Sequence, residues 1–150
     1  MQNLEVTLEN EVAARTLAGG FRTELNVAGH PLVADEPASV GGTAEGPTPY
    51  DLLSAALASC TTMTLMMYAK HKGIELEAVT VRVRHDKIHA KDCEDCETAT
   101  GRIDEFVREL VIEGELSAQQ RQRMLEIADR CPVHRTLHSE VRVRTLIADE

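Results

Sequence analysis

Between Pro49 and Lys72 the chain reads PYDLLSAALASCTTMTLMMYAKHK, a run that constrains everything packed around it. Thr48 can cap a helix there, Pro49 suits a first turn in which a missing N–H costs nothing, and Gly73 tolerates the left-handed conformation that closes one. Lys70, His71 and Lys72 suit the negative end of its dipole. The spacing predicts a helix over about Pro49 to Lys72, yet Leu52, Leu53, Leu57, Met63, Leu65 and Met67 cannot share one stripe. Such a helix must be covered all round. One further clear helix in a 150-residue chain is little cover, so a partner subunit is expected. Ser54, Ser59, Cys60, Thr61, Thr62 and Thr64 interrupt the run, which is read as a buried core helix short of a membrane span; no membrane partner is expected.

The rest of the chain alternates. LEVTL, FRTELNV and PLVAD read as short antiparallel strands separated by Gly19-Gly20 and by Gly29-His30-Pro31, and a Gly/Pro-rich loop, SVGGTAEGPTP, leads into the helix. After it, LEAVTVRVRHDKIH sets Val79, Val81 and Val83 at period two against Arg82 and Arg84, and FVRELVIEG (106–114) is a second strand candidate. Ser117 and Gln120 form a capping box for a second helix with Met124, Leu125, Ile127 and Ala128 on one side, ended by Pro132. SEVRVRTLI alternates again as a final strand. Strands, long helix, strands, helix, strand is the order of an α+β fold, here one domain over residues 1–150, and not of a regular parallel βαβ sheet.

Sixteen basic residues against 25 acidic ones give a formal charge of −9, which disfavours a nucleic-acid partner. The start, MQNLEVTLENEVAAR, does not read as a signal peptide, so the cytoplasm is the expected location. In a reducing compartment four cysteines point to metal binding or catalysis. Gly-x-Ser-x-Gly, Walker and GxGxxG motifs are absent, and no cofactor is expected.

Cys60 lies mid-helix at helical spacing from Leu53, Ala56, Leu57 and Thr64, which fits either a small buried hydrophobe or a nucleophile. Cys131 stands at the C-terminal edge of the second helix in CPVHR, where a helix end disfavours a thiolate; it reads as a second partner near a turn. A third cluster, HDKIHAKDCEDCE, supplies His85, His89, Cys93 and Cys96. These are metal candidates of Cys2His2 type, though Asp92, Glu94, Asp95 and Glu97 equally fit a solvated acidic hairpin tip, mobile and carrying a labile disulfide.

The run SVGGTAEGPTPYDLLSAALASCTTMTLMMYA, followed by EIADRCPVHRTL, resembles the OsmC/Ohr family of osmotically inducible and organic hydroperoxide resistance proteins. The resemblance covers nearly the whole chain, including a branch with a TPYDLL helix start and an HDKIH…DCxxCE insert. It implies an intertwined α+β homodimer with two long central helices packed together. It also implies a thiol peroxidase in which Cys60 is peroxidatic and Cys131 resolving, with an organic hydroperoxide as substrate and a dithiol as reductant. Better-studied members carry a glutamate ten residues before the first cysteine, paired with an arginine. Tyr50 occupies that position here, which leaves Asp51 as the acid candidate and Arg22 as the arginine candidate. Two other readings stay open: a non-catalytic dimeric protein binding a small ligand, and a redox or metal sensor built on Cys93 and Cys96.

Overall fold

The computed structural model describes residues 4, 5 and 8–148, and the chain divides into two compact units, residues 1–53 and 54–150. In the first, β1 (Val12–Thr16), β2 (Thr23–Val27) and β3 (His30–Ala34) form an antiparallel sheet in that order. Ala28 and Gly29, both at positive φ (51° and 89°), form the two-residue turn whose twist matches a β2–β3 hairpin. LEVTL, expected as a strand, is not one at Leu4, Glu5 or Leu8, and its Val6 and Thr7 lie outside the described residues.

The Gly/Pro-rich loop is organised by Asp35, a buried carboxylate. Oδ2 accepts from the Thr43 hydroxyl at 2.7 Å and from the Thr43 and Glu45 N–H groups at 3.2 Å; Oδ1 accepts from the Glu36 N–H at 2.8 Å. The Thr43 hydroxyl and these backbone donors hold the carboxyl below its ordinary range against the opposing effect of burial. Gly46 passes so close to the Val33 carbonyl that a Cβ there would overlap it.

The central helix, α1 (Pro49–Lys72), has the predicted ends. Thr48 Oγ1 accepts the Asp51 N–H at 3.1 Å and Asp51 Oδ2 accepts the Thr48 N–H at 2.9 Å, a reciprocal cap. Gly73 closes the helix at φ 66°. Within this chain only one stripe is buried, Leu57, Thr61, Leu65 and Ala69, each four residues from the next; Met63 and Met67 are 64% and 72% exposed. The expected all-round cover is not supplied by one chain. By length and composition α1 is also apolar enough to cross a membrane, which corrects the expectation that it falls short. Leu65 and Ala69 of its buried stripe belong to a packed core. Leu65 and Ala69 pack with Met124, Ile127 and Ala128 of α2 (Ala118–Ala128), flanked by Tyr68, Val79 and Leu110.

After α1, β4 (Ala78–His89) and β5 (Arg102–Glu113) pair antiparallel from Ala78↔Glu113 to His89↔Arg102. HDKIH is thus the end of a long strand and not part of a loose extension. The hairpin tip runs from Ala90 to Gly101, whose backbone groups bond at 2.8 Å. α2 opens on the predicted Ser117/Gln120 capping box. Its end was misplaced: the helix stops at Ala128, and Pro132 begins a third helix, α3 (Pro132–Leu137), capped by Cys131. A proline serves as well at the start of a helix as after its end. The final strand does not form either. Residues 141–148 lack regular structure, and Val143, Leu146 and Ile147 are 84%, 81% and 95% exposed. An alternating sequence becomes a strand only beside another strand's backbone, and none of the described strands pairs with it.

Candidate active site

Cys60 rides on α1 one residue before the buried Thr61, half-buried, while Cys131 is fully buried where the chain turns from α2 into α3. Both are free thiols, and each is near enough to the other to bear on its ionisation. Packing of α2 against α1 brings the pair together, because Ala128, three residues before Cys131, belongs to the cluster built on Leu65 and Ala69.

The two sulfurs have opposite electrostatics. Burial pushes the Cys60 thiol up, and the neighbouring Cys131 adds to this; the Val133 N–H and the Thr64 hydroxyl oppose it. At Cys131 burial also opposes charge. There it is outweighed by the nearby Cys60 thiol, His134 N–H, Thr61 hydroxyl and Val133 N–H, which together bring the thiol below its ordinary value. What changes from the sequence reading is the position of Cys131. The sequence placed it at the trailing edge of one helix, whereas it precedes the next, where first-turn N–H groups have no intrahelical acceptor.

Behind the thiols sits Arg108 of β5, its side chain 11% exposed. Nη1 donates to Thr61 Oγ1 at 3.0 Å and to the Ala128 carbonyl at 3.1 Å. Nη2 donates to Asp129 Oδ1 at 2.8 Å and to His134 Nδ1 at 3.3 Å. His134 is held neutral first by burial, then by the charge of Arg108 and by His138, with Asp129 opposing; its ring stacks on His138 at 4.4 Å. With Nδ1 accepting from Arg108, the neutral ring carries its proton on Nε2.

Arg108 was missed in the sequence, although a signal was there. From Phe106 onward the half-buried positions of β5 are Phe106, Arg108, Leu110 and Ile112, so an arginine occupies the inward register of an apolar alternation. A guanidinium there needs partners, and it has four.

The other sequence candidates have different engagements. Asp51 sits more than two turns before Cys60, its carboxylate used at the helix cap. Arg22 belongs to the first unit, where it pairs with Glu24 at 3.2 Å and Glu45 at 3.5 Å. His85 bonds Asp104 at 2.8 Å and lies against the Phe106 ring, and His89 ends β4. Cys93 and Cys96 form a disulfide at the hairpin tip with Cα atoms 5.5 Å apart. Among the described residues, the grouping that brings three ligand atoms within 4.8 Å of one another is Cys93, Asp95 and Cys96, with neither histidine in it.

A family profile described as OsmC-like protein matches residues 42–145, a span that contains both free thiols, Thr61, Arg108 and His134. The chain belongs to the OsmC-like family. Solved structures with the same fold include an OsmC-like protein of Mycoplasma pneumoniae, 19% identical, with a TM-score of 0.67 over 89% of each chain. The organic hydroperoxide resistance protein OsmC of Legionella pneumophila is 18% identical, with a TM-score of 0.64 over 89% of this chain and 91% of that one. OhrB of Bacillus subtilis, an organic hydroperoxide resistance protein, is 21% identical, with a TM-score of 0.59 over 86% and 90%. A search of curated proteins finds no match. At these identities the likeness concerns the fold, which is α+β as the sequence predicted, with two antiparallel sheets and three α-helices among the described residues.

Proposed function

We propose that this OsmC-like protein is a thiol-dependent reductase of organic hydroperoxides, with Cys60 as the peroxidatic and Cys131 as the resolving cysteine. The observation that carries the reading is the neighbouring pair of free thiols, one half-exposed and one buried. Cys60 sulfur attacks the terminal peroxide oxygen, the O–O bond breaks, and an alcohol leaves after protonation. The resulting Cys60 sulfenic acid condenses with the Cys131 thiol, expelling water and forming an intrasubunit disulfide; an external dithiol then reduces that disulfide and is itself oxidised. The working protein is a cytoplasmic homodimer whose second copy covers the open faces of α1 and meets the unpaired tail.

Thiol-resolved mass spectrometry after one equivalent of an alkyl hydroperoxide tests this. A Cys60–Cys131 linkage is expected, and Cys60→Ser should abolish turnover. Cys131→Ser should accumulate sulfenic or over-oxidised Cys60. Parental turnover by Cys60→Ser, or an oxidised protein linked only at Cys93–Cys96, would remove the assignment. The second outcome would favour a redox or metal role at the hairpin tip, a reading supported by the disulfide and Asp95 there.

A further inference from the structure

The reaction above uses two of the four cysteines. The other two, Cys93 and Cys96, close a disulfide at the tip of the β4–β5 hairpin, and a third donor stands beside them: Asp95 Oδ1 lies 3.4 Å from Cys93 Sγ. One carboxylate oxygen and both sulfurs fall within 4.8 Å of one another. The backbone gives this group a firm base. β4 and β5 pair as far as His89↔Arg102, the Ala90 N–H bonds the Gly101 carbonyl at 2.8 Å across the neck, and the Cys93 N–H closes a 3-10 turn on the Ala90 carbonyl at 3.1 Å. Ala90 itself is buried. Glu94 and Asp95 then turn the chain so that the Cys93 and Cys96 Cα atoms stand 5.5 Å apart. Two chemistries suit a Cys-x-x-Cys pair, disulfide exchange and metal binding, and the surroundings choose between them. A thiol that exchanges disulfides is activated by nearby cations or by a helix N-terminus. Here the pair sits among Asp92, Glu94, Asp95 and Glu97, with Lys91 the one cation between residues 90 and 98. Carboxylates crowded beside two thiolates repel one another, and a dication relieves that repulsion. The donor set decides which dication: two sulfurs and one carboxylate match borderline-soft zinc and not the all-oxygen shells of calcium or magnesium.

We propose that the hairpin tip is a redox-gated zinc site: when reduced, Cys93, Cys96 and Asp95 hold one Zn²⁺ with its fourth position open to solvent, and the disulfide is the form from which zinc has been released. Two Zn–S bonds of about 2.3 Å at a tetrahedral angle set the sulfurs about 3.8 Å apart. Side-chain rotation supplies that span in a turn whose Cα atoms are 5.5 Å apart. The structure records the oxidised state, and disulfide and zinc exclude each other because the sulfurs that hold the metal are then bonded to one another. On reduction an external dithiol gives two electrons to the disulfide and becomes a disulfide itself, and the two tip thiols release their protons to solvent as zinc binds. On oxidation a hydroperoxide takes two electrons back. The Zn–S and O–O bonds break, the S–S bond forms, two protons enter from solvent, and an alcohol, water and free Zn²⁺ leave. The oxidant and reductant are of the classes already invoked at Cys60, but the tip uses neither Cys60 nor Cys131, so the site stands independently of the peroxidase reading.

Zinc binding by the full chain tests this, with Cys60→Ser as the background so that the other thiol pair neither binds the metal nor consumes peroxide. The protein is reduced with a phosphine, which carries no thiol of its own, and binding is read by competition with a chromophoric chelator. The reduced protein should take up one Zn²⁺ per chain with a dissociation constant of about 1 μM or tighter, short of the affinity of four-ligand structural sites. The oxidised protein and the added Cys93→Ser/Cys96→Ser variant should take up none. Cobalt(II) in place of zinc should show thiolate-to-metal charge-transfer absorption, lost in that variant. Two further substitutions separate a ligand from a general charge. Asp95→Asn, which removes a charged donor, should weaken zinc binding by about tenfold or more, whereas Glu94→Gln, which removes the same charge, should leave it within about threefold. After removal of the phosphine, excess alkyl hydroperoxide should release the zinc in step with formation of the Cys93–Cys96 disulfide, and renewed phosphine should restore binding. No uptake by the reduced protein, or equal uptake by the Cys93→Ser/Cys96→Ser variant, would overturn the site; equal uptake by the oxidised form would overturn the gating. Equal losses from Asp95→Asn and Glu94→Gln would overturn the place of Asp95 among the ligands. None of these readouts involves turnover, so a failed peroxidase assay leaves them standing, and failed zinc binding leaves the roles of Cys60 and Cys131 untouched.

Discussion

Arg108 shows how much one side chain can connect. Its guanidinium touches a hydroxyl on α1, the last carbonyl of α2, a carboxylate just beyond it and an imidazole on α3. Arg108→Leu would restore an unbroken apolar alternation along β5, yet it strips buried donors from Thr61 and the Ala128 carbonyl. A net loss of about 2 kcal/mol is expected, visible as a lower urea midpoint; an unchanged midpoint would show that these bonds carry no weight. His134 gives a second residue-scale prediction. Burial and the Arg108 charge depress its pKa, so the unfolded chain binds the proton first as pH falls. Stability should be full above the unfolded value of about 6.5 and decline as pH drops toward the folded one. Thermal midpoints of the parent and of His134→Gln, compared across that range, check this: the variant should show the shallower acid-side slope. The pairing of Cys60 with Cys131 came from resemblance and not from spacing. The lowered thiol was not legible either, because it depends on three elements meeting.

At the scale of elements, local signals decided what could be read. Both ends of α1 were visible because caps and a left-handed glycine are chemical marks at single positions. Thr48→Ala should cost about 1 kcal/mol by removing the acceptor for the Asp51 N–H, measurable in chemical unfolding. An equal loss from Asp51→Asn with no change in Cys60 oxidation would assign Asp51 wholly to the cap. α3 was missed because six residues give no period to detect, so Pro132 read as a stop when it is a start. The length of β5 was underestimated, read from Phe106 where it begins at Arg102, since Arg102 to Glu105 do not alternate cleanly in polarity; the register with β4 sets it. The CxxC tip lies beyond that register, away from Arg108, which pairs with Val83. Cys93→Ser/Cys96→Ser should therefore keep most hydroperoxide turnover, measured beside the parent under one reductant. Loss of folding together with release of a soft metal would instead make the tip a structural site.

On the scale of the whole molecule, the sequence raised a question that one chain does not close. Met63, Met67, Leu146 and Ile147 are all largely exposed, on a helix and a tail that the alternation and apolar pattern said should be covered. The expected strand 139–147 was legible as a pattern and illegible as a structure, since pairing needs a neighbour and these residues have none among the described strands. Deleting residues 139–150 should shift the protein from dimer toward monomer in sedimentation velocity; a parent that sediments as a monomer at every concentration would end the two-chain reading. The bare tail also bears on how the fold is reached. If its partner strand belongs to another molecule, the last event of refolding is a collision between chains, and its observed rate must rise with protein concentration while the earlier, unimolecular phases do not.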